Sequence, residues 1–282
     1  MKFNLSRNIT YMFSKRILFL LLVVYSMPTF SGELSDAKEA YDSNDVVTAF
    51  VLYEKLAEQG NVVAQNNIAY MHYNGIGTPQ DYQKSFSIYE VLAEQGLVAA
   101  QTTLAAMYVQ GQGVLQDYAK AFSWYKKAAH QGDVEAQFNL GFMYKKERGV
   151  PQDYQQAAFW YEKAAEQGDT DAQVNIAFMY LTGQGVTQNH GQAFYWYKVA
   201  AEQGNAKAQY NIGVMHYKGE GVVKDVIESH KWFNISSKNG FSRSANQRDK
   251  IEKNMKAAEM EIAQKLADEW IEDFSKNDLS GE

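Results

Sequence analysis

The chain reads as an all-α superhelix, an α-solenoid of stacked helical hairpins, on three observations. Gly60, Gly96, Gly132, Gly168, Gly204 and Gly240 recur at 36-residue intervals, with no insertion or deletion between them. Aligned on those glycines, Leu52-Tyr53, Ile88-Tyr89, Trp124-Tyr125, Trp160-Tyr161, Trp196-Tyr197 and Trp232-Phe233 fall into register. The apolar spacing is helical throughout, and nothing in the repeats alternates as a strand would. A helical unit of this length cannot bury its apolar face alone, so neighbouring units must stack.

Residues 1–31 stand outside the pattern. Lys2, Arg7, Lys15 and Arg16 precede an apolar run over 17–25, followed by Pro28 and Ser31, which is the order of a secretory signal peptide. The run is far shorter than the roughly 20 residues that cross a bilayer, so cleavage near Ser31 is expected, with no stable membrane insertion. No cysteine follows it, which excludes lipid-modified attachment. The mature protein is expected in the periplasm or secreted.

Residues 33–60 read as a short N-terminal capping unit, with Ala40-Tyr41, a turn at Ser43-Asn44-Asp45 and a helix to Gln59. Five complete units then fill 61–240. In each, the first helix is marked by Ala-Gln (Ala64-Gln65 to Ala208-Gln209), then by Ile68, Leu104, Leu140, Ile176 and Ile212, with Met71, Met107, Met143, Met179 and Met215 three residues on. Loops such as Gly75-Ile76-Gly77 and Gly183-Gln184-Gly185 end it, and one unit departs, with Glu147 before Gly149. These Gly-x-Gly turns follow no strand and carry no Lys-Ser/Thr, so they are helix stops and not phosphate cradles. The second helix carries the aromatic pair and, four residues on, the small column Ala57, Ala93, Ala129, Ala165 and Ala201, with Ser237 last. Residues 241–275 read as closing helices containing Ile262, Leu266 and Trp270, and 276–282 as a disordered tail.

With 0 Cys, neither disulfides nor thiolate metal sites hold the fold, so packing must do so. A hydrophobic content of 46% and an aromatic content of 14% suffice to fill each layer between units. The net charge is −6, and loss of the four leader cations leaves 23 Lys+Arg against 33 Asp+Glu, a net −10. That balance argues against nucleic acid or anionic lipid as a partner.

Catalytic groupings are weak. His72, His130, His190, His216 and His230 are scattered, and His72 and His216 occupy a column filled elsewhere by Tyr108, Tyr144 and Tyr180, which favours packing over metal or proton chemistry. Glu58, Glu94, Glu166 and Glu202 recur only because the unit recurs. Ser123-Trp124-Tyr125-Lys126 and Ser35-Asp36-Ala37-Lys38 match Ser-x-x-Lys, yet the Ser-Asp-Asn and Lys-Thr-Gly companions are missing. No catalytic residue, cofactor or metal site is expected.

The columns spell out a known pattern. Ala136-Gln137, Leu140-Gly141, Met143-Tyr144, Gly149-Val150, Asp153-Tyr154, Trp160-Tyr161 and Ala164-Ala165-Glu166-Gln167-Gly168 resemble the Sel1-like repeat, a relative of the tetratricopeptide repeat. The resemblance implies that 33–60 is a tetratricopeptide-like opening unit and that the first helices line a concave face on which a protein or peptide lies. It also keeps a secreted hydrolase of the penicillin-binding or β-lactamase type as the alternative, although the cysteines of such relatives are missing here.

Columns that must pack stay alike from unit to unit, whereas columns free to recognise a ligand drift. Two that drift are Asn66, Thr102, Phe138, Val174, Tyr210 and, one turn on, Tyr70, Ala106, Phe142, Phe178, Val214. The expected peptide-binding surface is therefore Asn66, Tyr70, Thr102, Phe138, Phe142, Val174, Phe178 and Tyr210, with Lys145 and Lys146 beside it to meet acidic groups. The column Asn67, Thr103, Asn139, Asn175 and Asn211 reads as structural.

Overall fold

The structure, a computed structural model, describes residues 30–279. The expected signal peptide lies outside them except for residues 30–31, which open the first helix. Among the described residues there are fourteen α-helices and no strand. They run as α1 (Phe30–Asp42), α2 (Val46–Glu58), α3 (Val62–Asn74), α4 (Tyr82–Glu94), α5 (Val98–Gln110), α6 (Tyr118–His130) and α7 (Val134–Lys146). They continue as α8 (Tyr154–Glu166), α9 (Thr170–Thr182), α10 (His190–Glu202), α11 (Ala206–Lys218), α12 (Val226–Lys238), α13 (Arg243–Glu252) and α14 (Ala257–Leu279). The closing helix thus reaches four residues into the stretch expected to be disordered.

The helix boundaries follow from side-chain chemistry. Asp81, Asp117, Asp153, Asn189 and Asp225 each accept a backbone N–H of the first turn of a second helix. Asn61, Asp133, Asp169 and Asn205 do the same for the first helices α3, α7, α9 and α11, while α5 starts at Leu97 without a side-chain cap. The first helices end on a left-handed residue whose N–H donates to a methionine carbonyl, as Gly183 does to Met179. Glu147 holds that place in α7 at φ 54°, a conformation that costs a side chain about 1 kcal/mol. Glu147→Gly is expected to stabilise the protein by about that amount, raising Tm by about 2–4 °C in calorimetry.

Two devices hold successive units at fixed separation. The second glycine of each loop presses on a peptide of the preceding unit: a Cβ on Gly185 would lie 2.1 Å from the Tyr154 carbonyl oxygen, at the start of α8. Gly77, Gly113, Gly149 and Gly221 meet the carbonyls of Val46, Tyr82, Tyr118 and His190 in the same way. The other device is a glutamine ladder. Gln65, Gln101, Gln137, Gln173 and Gln209 each donate Nε2 to the carbonyl of Ala57, Ala93, Ala129, Ala165 and Ala201 in the preceding second helix, at 3.1–3.2 Å. Gln131, Gln167, Gln203 and Asn239, the residues capping the next second helix, donate in turn to the side-chain oxygens of Gln101, Gln137, Gln173 and Gln209 at 2.7–3.0 Å. The bonds to the alanine carbonyls cross from one unit to the next, the bonds between side chains tie the two helices of one unit together, and all are at least partly shielded from water, so each acts both as a bond and as a registration mark.

Apolar packing fills the space between. Tyr53, Tyr161, Tyr197 and Phe233 from the second helices and Met71, Met107 and Met179 from the first are buried, and the small column of Ala129, Ala165 and Ala201 lets the helices approach. His72 and His216 are buried edge-on against Phe50 and Phe194 at 5.4 Å, and buried Tyr108 and half-buried Tyr144 meet Phe86 and Phe122 in the same way at 5.3 Å. Burial pushes both imidazoles below their ordinary pKa, so they sit neutral as packing residues.

At the far end α14 packs on α12 through fully buried Ala263 and Ala267, with Trp270 set 5.7 Å from Trp232 and stacked on Phe274. Ile262, expected as part of this seam, is 49% exposed. The seam runs one residue later than the largest side chains suggested, because alanines permit the closer approach.

Candidate functional site

The first helices stand side by side. Thr102 Oγ1 donates to Asp133 at 3.0 Å across α5 and α7, and Lys145 Nζ to Asn175 at 2.9 Å across α7 and α9. The face they present carries the residues singled out above, which separate into three groups.

Thr102 and Val174 are buried and leave the candidate surface. Their column sits at the edge of the core, so short side chains there are covered, whereas Asn66, Phe138 and Tyr210 reach outward and are half-buried. Phe138 tilts against Tyr161 at 5.6 Å. Tyr210 lies between Phe233 and Phe241 at 5.6 and 5.2 Å, and so belongs to the packing of the closing helices. Tyr70 is half-buried, and burial, then the nearness of Tyr70, raises the pKa of Tyr41. Phe142 packs against the core, with the Arg148 guanidinium 5.5 Å over its ring. Phe178 is 43% exposed, so of the expected apolar strip it alone presents a largely open ring.

Around Phe178 the face is charged. Lys145 is half-buried, with its ammonium 5.7 Å from the centroids of both Phe178 and Tyr161. Burial, then Lys146 and Lys207, push its pKa down. Glu135, on the first turn of α7, is pushed up to about 7 by burial and then by Asp133 and Asp169. Burial likewise raises Asp171, against an opposing pull from Lys207. Glu135, Asp171 and Lys207 share one column of the repeat, which pattern reading passed over. The signal was there, since Val63 and Ala99 precede them and the column drifts as much as the two chosen.

Because the folded-state pKa of Glu135 lies above its unfolded value, its protonated form is the one the fold favours, and stability is lost as pH rises through about 7. Glu135→Gln is expected to match the parent near pH 5 and to exceed it by on the order of 2 kcal/mol at pH 8 in denaturant titrations. Equal stability at both pH values would contradict this.

The asparagine column is structural, as its pattern suggested. Asn139 and Asn175 donate to the carbonyls four residues earlier, Glu135 and Asp171, and Thr103 to that of Ala99. Asn175 alone also serves Lys145. The Ser-x-x-Lys sequences gain nothing from their surroundings. Ser123 and Lys126 are exposed on α6, where neighbouring units have Ser87 and Phe159 in place of Ser123 and Glu90 and Glu162 in place of Lys126, and Lys38 is ion-paired to Asp42 at 3.4 Å. Among the described residues no three His, Asp or Glu converge as a metal site, and no helix is long and apolar enough to cross a membrane.

Comparison with known proteins returns the period. The Sel1 repeat model matches residues 42–61, 62–97, 98–133, 134–169, 170–205 and 206–241. No match was found among curated proteins. A Sel1 repeat protein from Oxalobacter formigenes superposes with a TM-score of 0.69 and 30% identity, over 73% of this chain and 85% of that one. Protein c5321, a protective antigen of uropathogenic Escherichia coli, shares 29% identity over 87% of this chain and 69% of its own, with a TM-score of 0.38. The immunity protein Pa5087 of Pseudomonas aeruginosa shares 18% identity over 75% of this chain and 82% of its own, with a TM-score of 0.44. The family model covers well over half of the chain in register with its own internal period, and the chain belongs to the Sel1 repeat family.

Proposed function

We propose that this Sel1 repeat scaffold is a non-enzymatic protein of the bacterial envelope that grips a peptide segment of a partner along the face of its first helices. One observation carries the reading: Phe178 keeps an open aromatic ring on a face whose neighbouring columns change chemistry from unit to unit. An aromatic ring left open beside a half-buried lysine has the character of a binding anchor. The second helices are a poorer choice. Their exposed Phe159 and Tyr195 lean edge-on against Trp160 and Trp196 at 5.0 Å. Export rests on the leader pattern at 1–31. The hydrolase alternative rests on Ser123, an exposed serine on an outer helix.

The test is selection of random displayed peptides on the immobilised protein. Peptides recovered are expected to bind Phe178→Ala at least about tenfold more weakly, with Tm within about 2 °C of the parent, and to bind Tyr195→Ala unchanged. Loss of binding in Tyr195→Ala but not in Phe178→Ala would move the site to the other face and end this reading.

A further inference from the structure

Charge is distributed unevenly along the first helices. In a chain with net charge −6, α3 and α5 hold no Asp, Glu, Lys or Arg at all. The next three, α7, α9 and α11, hold Lys145, Lys146, Lys207 and Lys218 against Glu135 and Asp171. Both of those carboxyls are shifted toward their neutral forms by burial, which further weakens the negative side of the balance. The groups acting electrostatically on Lys145 are two more cations, Lys146 and Lys207. Its hydrogen bond goes to a neutral amide, Asn175, and no ion pair joins it to a carboxylate among the described residues. Fully buried Tyr161 lies beneath, and its hydroxyl has no hydrogen-bond partner among the described residues.

Holding a lysine half out of water beside two like charges, with no counter-ion, costs free energy that a ligand carboxylate would return. Taking the peptide-binding reading above as its basis, we propose that the α7–α9–α11 stretch selects an acidic peptide segment. An Asp or Glu side chain of that segment lies on Lys145, and an aromatic or aliphatic residue beside it lies on Phe178. The rest of the protein surface, rich in carboxylates, repels such a segment and confines it to this stretch.

Peptides from the display selection settle the point by their composition. Enrichment in Asp and Glu next to an aromatic or aliphatic residue is expected, with binding that weakens as salt rises. The same peptides should bind the triple variant Lys145→Gln, Lys146→Gln, Lys207→Gln at least about tenfold more weakly. Enriched peptides that are basic or uncharged, yet lose binding in Phe178→Ala, would overturn the acidic preference and leave the groove reading standing. Acidic peptides that bind the triple variant as well as the parent would likewise overturn the proposal. Peptides indifferent to Phe178→Ala, or no enrichment over the bare support, would overturn both.

Discussion

Gly185→Ala is expected to destabilise the protein by about 4 kcal/mol and to separate its unfolding into two steps. An added Cβ would stand 2.1 Å from the Tyr154 oxygen, 2.3 Å from its carbonyl carbon and 2.9 Å from the Gln155 nitrogen, all backbone atoms that no rotamer change can move. The units must part there, and in a structure where each unit contacts only its neighbours a parted junction uncouples one half from the other. Two neighbouring glycines provide the scale. Gly183 has nearly the same φ, +71°, but its nearest neighbour is the Gln188 Cβ at 3.3 Å, so Gly183→Ala should cost only about 1–2 kcal/mol. Gly168, at φ +95°, meets nothing within 4 Å and should behave likewise. Denaturant titration of the three variants separates close approach from backbone conformation. Equal losses would show that the contact between units carries no special weight.

Gln173→Glu is expected to cost about 3 kcal/mol at neutral pH, and the cost should depend on pH. Gln173 is 1% exposed, donates to the Ala165 carbonyl and accepts from Gln203. A carboxylate there keeps the acceptor role and loses the donor, and so faces a carbonyl oxygen with a buried negative charge. Its folded pKa must rise above the unfolded value of about 4.3. The variant therefore comes nearest to the parent below that pH, where the acid form can donate to Ala165, and falls behind as pH rises. Gln155→Glu, on the exposed side of α8, should change little at any pH. A gap for Gln173→Glu that stays constant from pH 4 to pH 8 would contradict the ladder.

Sequence pattern alone carried the fold a long way, because a period repeated without insertions displays each packing role several times over. The Gly60 to Gly240 column, the Trp-Tyr pairs and the Ala-Gln pairs were enough to set out the hairpins in order. The glutamine ladder was not legible as a ladder. Its two columns, Gln65 to Gln209 and Gln131 to Asn239, meet across a separation of 30 residues, and a constant column says that a residue is needed without saying what it touches. The loop glycines were read as helix stops, which explains Gly183. The approach of Gly185 to another unit's backbone leaves no trace in a single chain's pattern.

The candidate face was legible at the level of columns and not of residues. Thr102 and Val174 share a column with Phe138 and Tyr210, yet side-chain length decides which of them emerges, and the neighbouring helix decides what covers the rest. Phe142 and Phe178 occupy equivalent positions, but Phe142 is met by Arg148 from its own loop, where the next unit has Gln184. That single difference helps leave Phe178 as the open ring. Glu135, Asp171 and Lys207 share a column that changes sign within three units, and charged residues at helical spacing are ordinarily a solvated face, so only the burial that shifts Glu135 and Asp171 sets it apart.

The central claim, that recognition takes place on the first-helix face, is tested most directly by photo-crosslinking of display-selected peptides from two positions on opposite faces. A benzoylphenyl side chain would replace Phe178 on α9 in one protein and Tyr195 on α10 in another, both exposed sites that tolerate a large ring. The account predicts peptide adducts from position 178 and none from position 195. Adducts from 195 with none from 178 would contradict it.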